Sequence, residues 1–416
     1  MKTLIKNISS LVTIASKGKK KLCGIEMNEI SEIKEGSVLF DERILWIGKT
    51  SEVDNIISVE QPEQVIDLRN KTVIPGFVDS HTHIVFAGNR SNEFARRLRG
   101  ATYEEIANAG GGIQTTVKAT RNASIEELVQ NASKIAKNAI AHGATTLEVK
   151  SGYGLTIESE LKQLKAIKKL AETMPIRIVP TFLGAHDFPP EYKNNRDKYV
   201  DIICNEMIPQ VAEEKLAVYV DAFVDRGYYT LEQAEKIFSS ALNYGLKIRV
   251  HADELANVEA ATLAAKFNAV SADHLLFVSD TGIEELKKAG TIATLLPGTA
   301  YFIRMPYAPA RKMIDNGLAI ALATDCNPGS CFTENMQIIL SLAVINMKMT
   351  AEEALSAATL NGAAALELSD ICGSIEVGKQ ADFSILNTNS YTDLFYHFGI
   401  NHVDEVWIAG RKVHKN

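Results

Sequence analysis

Through the middle of the chain, short apolar runs alternate with longer stretches whose apolar residues recur every three to four positions, a rhythm that predicts parallel α/β architecture. Eight runs read as strands: residues 73–78, 145–149, 176–183, 218–224, 247–250, 269–272, 291–296 and 319–323. Residues 125–141, 157–172 and 231–244 read as helices between them. Eight strand–helix units match a (β/α)8 TIM barrel, in which functional groups gather where the strands end. The two ends of the chain look different. Residues 37–40 and 43–48 flank Asp41-Glu42 as a hairpin, and 381–386 and 405–410 read as further strands, the last running on into 411–413. The pattern predicts a small β-sandwich-like domain assembled from residues 1–70 and 370–416, around a barrel of residues 71–369.

Composition narrows the function. With 46% hydrophobic residues, 23% charged residues and a net charge of -7, the chain is that of a globular protein without the basic surface that nucleic acid requires. The basic cluster from Lys17 to Lys21 reads as a solvated turn between strands. No apolar run approaches the ~20 residues needed to cross a membrane. The start, Met1-Lys2-Thr3-Leu4-Ile5-Lys6, resembles a secretion signal, but the apolar stretch 9–15 is short and interrupted by Ser and Thr, so a first strand is expected. Five scattered cysteines, with Cys326 and Cys331 read as small buried hydrophobes, suit a reducing cytoplasm.

The strand ends carry the chemistry. The first run leads into His81-Thr82-His83, and in extended chain alternate residues face the same way. Nine histidines in 416 residues produce roughly 0.2 such pairs by chance, so the companions decide the matter. His251 ends the fifth run and Asp325 follows the eighth. Imidazoles with one carboxylate suit Zn2+ or iron, with a position left for water whose pKa the metal lowers. The remaining histidines (His142, His397, His402 and His414) read as structural or surface residues. Gly110 to Gly112 follow a helix-like segment, so they read as a flap or a turn rather than a phosphate cradle.

In order and in strand position, His81, His83, His251, His274 and Asp325 resemble the amidohydrolase superfamily. Many members bridge two metals with a lysine after strand four; here that place holds Val224-Asp225-Arg226, which favours one ion, Zn2+ or Fe2+/Fe3+, per chain. Further segments resemble the branch that acts in histidine degradation: residues 81–90, the glycines from Gly110, Lys150-Ser151-Gly152-Tyr153-Gly154, residues 181–186, His251-Ala252-Asp253-Glu254 and residues 324–329. That resemblance implies hydrolysis of the ring amide of 4-imidazolone-5-propanoate to N-formimidoyl-L-glutamate, and a homodimer. It places Arg90 and Tyr153 on the propionate, with Tyr103 beside them, His186 on the substrate, and Asn327, Gly329 and Ser330 at its polar end. Arg90 as a surface ion pair and Tyr103 as a packing residue stay open. Asp325 is expected to act as base and then acid, His274 to stabilise the oxyanion, and Glu254 to orient the ring or activate the water; Glu254 and Asp325 both stand as the first base. A cytosine or guanine deaminase, and a catalytically silent scaffold, are the competing functions.

Overall fold

In the computed structural model, which describes residues 1–100 and 111–416, the strands of the described residues form two eight-stranded sheets. The chain begins with β1 (Thr3–Val12), β2 (Glu32–Phe40), β3 (Ile44–Lys49), β4 (Gln64–Asp67) and β5 (Thr72–Pro75). There follow β6 (Phe77–Asp79), β7 (Ala144–Lys150), β8 (Arg177–Ala185), β9 (Tyr219–Val224), β10 (Lys247–Ala252), β11 (Ser271–His274), β12 (Ile292–Leu295) and β13 (Ile320–Leu322). The chain finishes with β14 (Phe383–Leu386), β15 (Val403–Ile408) and β16 (Arg411–Lys415). One sheet runs β16-β15-β14-β5-β1-β2-β3 with β4 paired to β1, so both chain termini build it. The other runs β6 to β13 in sequence order, every neighbour parallel.

Residues 73–78, expected as one strand, are two. The chain changes sheets at Gly76: β5 pairs with β1 and β14, whereas β6 opens the barrel beside β7. The Gly76 N–H bonds the carbonyl of Asp382 in the terminal sheet, and the next N–H, on Phe77, bonds Gly143 in the barrel. A Cβ at Gly76 would fall 2.1 Å from Thr145 Cγ2, so the crossing needs a residue without a side chain. Residues 405–413 are likewise two strands, β15 and β16, turned at Gly410. There φ is +70° and a Cβ would strike the Asp41 carbonyl oxygen.

Helices cover the barrel as the periodicity predicts. Ile125–Ala141 begins with a reciprocal cap, Ser124 Oγ accepting the Glu127 N–H and the Glu127 carboxylate accepting the Ser124 N–H, and it buries Leu128, Ala132, Ile135 and Ile140. Thr230 and Gln233 cap Leu231–Asn243 in the same reciprocal way, and the Thr156 hydroxyl caps Ile157–Thr173 by accepting the Ser159 N–H. The barrel closes just beyond β6 and β13. Asp325 N–H bonds the His81 carbonyl at 3.0 Å, His83 N–H bonds the Cys326 carbonyl at 2.9 Å, and buried Asp79 accepts both the N–H and the hydroxyl of Thr324. The seam therefore lies among the residues singled out as metal ligands. No helix of the described residues is long and apolar enough to cross a membrane.

Gly76→Ala should lower unfolding stability by about 1–3 kcal/mol, the usual cost of forcing a methyl group into a filled site. Urea denaturation measures this, and an unchanged midpoint would show that the sheet crossing tolerates a side chain.

Candidate metal centre and substrate cavity

The strand ends converge as expected. His81 and His83 leave β6 and Asp325 follows β13; their Nε2 atoms stand 3.3 Å apart, with Asp325 Oδ1 3.6 Å and 3.4 Å away. His251 in β10 and His274 at the end of β11 complete the cluster, and all five side chains are buried. Two overlapping groups have ligand atoms mutually within 4.8 Å: His81, His83 and Asp325, and His81, His251 and His274. His81 belongs to both. His274 and Asp325 adopt positive φ, 76° and 53°, backbone strain of the kind that surrounding structure must impose.

A buried charge network behind the histidines turns them toward one another. Asp273 Oδ2 lies 2.7 Å from His81 Nδ1, and Asp221 Oδ2 lies 2.9 Å from His251 Nδ1. Lys150 Nζ contacts Glu148 at 2.8 Å and Asp221 at 2.9 Å, while Arg249 Nη2 donates to Asp273 at 3.0 Å. Burial alone would raise the Asp221 carboxyl, but His251 and Lys150 bring it well below the ordinary carboxylate range. Burial, together with Lys150 and the neighbouring imidazoles, drives His81 well below the usual histidine pKa, and burial with His186 and His251 does the same to His83. Both rings are therefore neutral, with nitrogen lone pairs free to ligate. With carboxylates on the far nitrogens of His81 and His251, the donor set fits a borderline metal ion.

Sequence reading missed this network. The signal was a lone charge inside an apolar strand, as with Asp221 between Val220 and Ala222 or Arg249 between Ile248 and Val250. Thr299 was also missed. It stands in the short helix Pro297–Ile303 after β12, the strand end that held no expected ligand, and its hydroxyl donates to Asp325 Oδ2.

A cavity of about 660 Å3 opens over the cluster and is lined by Arg90, Tyr153, His186, Glu254, Asn327, Gly329 and Ser330, along with the rings of Phe86, Phe223, Phe302 and Phe332. Tyr103 and Gly110 lie outside the described residues. Arg90 Nε bonds Glu93 at 2.9 Å, and a Cβ at Gly329 would fall 2.2 Å from Arg90 Nη1, so that glycine makes room for the guanidinium. Asn327 is turned inward: its Oδ1 accepts the N–H groups of Gly329 and Ser330, and its Nδ2 donates to the Asp325 carbonyl. Glu254 Oε2 stands 3.5 Å from His274 Nε2, and Asp225 fixes that loop by accepting the Glu254 and Leu255 N–H groups. Burial, with Asp325 and Asp225 nearby, holds the Glu254 carboxyl well above its ordinary range. Burial also raises Asp325, against the Thr299 hydroxyl, to about 6. His186, lowered to about 3 chiefly by burial and then by His251, stacks on His83 with centroids 5.2 Å apart.

Comparison with known proteins agrees with the geometry. Residues 72–413 match the amidohydrolase family model. The imidazolonepropionase of Brevibacillus brevis is 48% identical over 404 residues, covering 97% of this chain and 95% of the relative. That of a Geobacillus species is 48% identical over 414 residues, covering 99% and 98%. Among solved structures, an adenosine deaminase from Xanthomonas campestris with bound zinc superposes with a TM-score of 0.71 at 18% identity, covering 99% of this chain and 92% of that one, a likeness of fold. The chain belongs to the imidazolonepropionase family of metal-dependent amidohydrolases.

Proposed function

We propose that this chain hydrolyses the ring amide of 4-imidazolone-5-propanoate to N-formimidoyl-L-glutamate, a step of histidine degradation. The observation that carries the reading is a single cavity in which a buried His/Asp cluster faces an arginine, a hydrolytic centre beside an anchor for a carboxylate. The relatives' shared name supports the same substrate. His81, His83, His251 and Asp325 would hold one Zn2+ or iron ion. Such an ion supplies Lewis acidity, lowering the pKa of a water and polarising a carbonyl.

The side chains divide the remaining work. Arg90, already braced by Glu93, pairs its guanidinium with the propionate, with Tyr153 alongside. His186 and the 327–330 loop border the ring. Asp325, with its carboxyl near 6, is ionised at neutral pH and takes the proton of the attacking water. His274 donates a hydrogen bond to the oxygen as the carbonyl carbon becomes tetrahedral. When the C–N bond breaks, the proton passes from Asp325 to the ring nitrogen, so water is divided between the new carboxylate and the new amidine. Glu254, next to His274 and with its carboxyl held above the ordinary range by burial and then by Asp325 and Asp225, orients the ring nitrogens. On the family resemblance, we also infer a homodimeric, cytoplasmic working form.

With imidazolone propanoate generated in situ by urocanase, the protein should accelerate loss of the substrate's ultraviolet absorbance and produce formiminoglutamate. Asp325→Asn should lower kcat by roughly 10²–10⁴-fold, and Arg90→Met should lower kcat/KM by roughly 10–100-fold. A fully active Asp325→Asn, or no acceleration by metal-loaded protein, would contradict the reading. Metal affinity carries a pH signature. Because Asp325 must be ionised to ligate, affinity should be complete at pH 8 and fall as pH drops through about 6. Competition with a chromophoric chelator between pH 8 and 5 measures this, and a flat profile would remove Asp325 from the ligand set.

A further inference from the structure

The loop that brings Tyr153 into the cavity is held by a carboxylate that has no part in the chemistry above. Glu160 lies in the first turns of the helix Ile157–Thr173 and is wholly buried. Its Oε1 accepts the N–H groups of Gly154 at 2.7 Å and Leu155 at 2.8 Å, and its Oε2 accepts that of Gly152 at 3.0 Å. Three residues on, and so on the same helix face, Gln163 accepts the Tyr153 N–H at 2.9 Å and donates to the Val85 carbonyl at 2.7 Å. From the other side Arg121 donates to the carbonyls of Gly154 at 2.7 Å and Leu155 at 3.3 Å. Every backbone donor from Gly152 to Leu155 is thus engaged by one helix.

The loop needs that restraint. Gly152 has φ +108°, and Leu155, with a branched side chain, has φ 52°. The restraint reaches two cavity side chains. Tyr153 rides on the loop, and the Gly152 carbonyl accepts the His186 Nδ1–H at 3.0 Å, which leaves Nε2 of that ring as an acceptor. A Cβ at Gly152 would come within 3.0 Å of His186 Nδ1, so loop and ring are in close contact.

We propose that Glu160 is a positioning residue for substrate binding: by gathering the amides of Gly152, Gly154 and Leu155, it fixes Tyr153 and, through the Gly152 carbonyl, His186 against the carboxylate-bearing ring. The proposal rests on the substrate assigned above. Glu160→Gln keeps the shape but turns one acceptor oxygen into an NH2 donor, which must face a backbone N–H and releases that side of the loop. In holoenzyme, KM for imidazolone propanoate should rise about tenfold, with kcat changed by less than about twofold. Metal content should be unchanged, and amide exchange at residues 152–155 should be faster. Unchanged KM with faster exchange would make Glu160 merely structural and overturn the proposal, as would a fall in kcat that tracks lost metal. Should Glu160→Gln fail to fold, Arg121→Met frees the same loop at its carbonyls and should raise KM in the same way; no rise there overturns the proposal. If the unmodified enzyme leaves imidazolone propanoate untouched, the assigned function fails, and amide exchange then judges the loop on its own: unchanged exchange in Glu160→Gln overturns the clamp and faster exchange upholds it.

Discussion

The pairing of buried carboxylates with the far nitrogens of His81 and His251 is the constraint on which the rest depends. A partner on one imidazole nitrogen fixes the ring so that the other can face a metal, and Asp273 and Asp221 do this for His81 and His251 from inside the barrel. Carboxylates at that depth are costly unless cations answer them, which accounts for a wholly buried lysine on β7 and a wholly buried arginine on β10. Three carboxylates, Glu148, Asp221 and Asp273, face two cations, Lys150 and Arg249, leaving a net negative charge beneath a cluster to which Asp325 adds another. Such a cradle favours a metal cation.

The architecture serves that cluster. Parallel strands place Lys150, Asp221, Arg249 and Asp273 at adjacent levels of one sheet, where their side chains meet across the barrel interior. The last seam is closed by the segments that carry the candidate ligands, through the backbone bonds joining Asp325 to His81 and His83 to Cys326. The terminal sheet contributes at Gly76, where the chain leaves β5 and within five residues reaches His81. Packing of Phe40, Phe383 and Trp407, with ring centroids 5.1 to 5.8 Å apart, helps anchor that sheet and hence the strand that delivers His81.

Much of this was legible in the sequence because period and motif are local properties. The apolar spacing of residues 125–141 matched its helix to the residue, and His-x-His announced itself through the two-residue repeat of extended chain. Sheet membership was not legible at 73–78, since an apolar run looks the same whichever sheet receives it, and only the folded pairing on either side of Gly76 separates its halves. Asp221 and Asp273 escaped notice as partners because their meaning lies in what neighbouring strands place beside them. Thr299 escaped for the same reason, lying 26 residues from the carboxylate it touches. Glu160 reads as an ordinary helix residue until the loop it gathers is seen folded over it.

The proposed function requires a single ion, held by the histidine–aspartate cluster, for opening the imidazolone ring. Titrating metal-stripped protein with zinc or ferrous iron, while following turnover of imidazolone propanoate, tests it most directly. Activity should start at the uncatalysed rate and rise linearly to a plateau at about one ion per chain. Full activity in the stripped protein, or a plateau only at two ions, would rule out a one-ion centre.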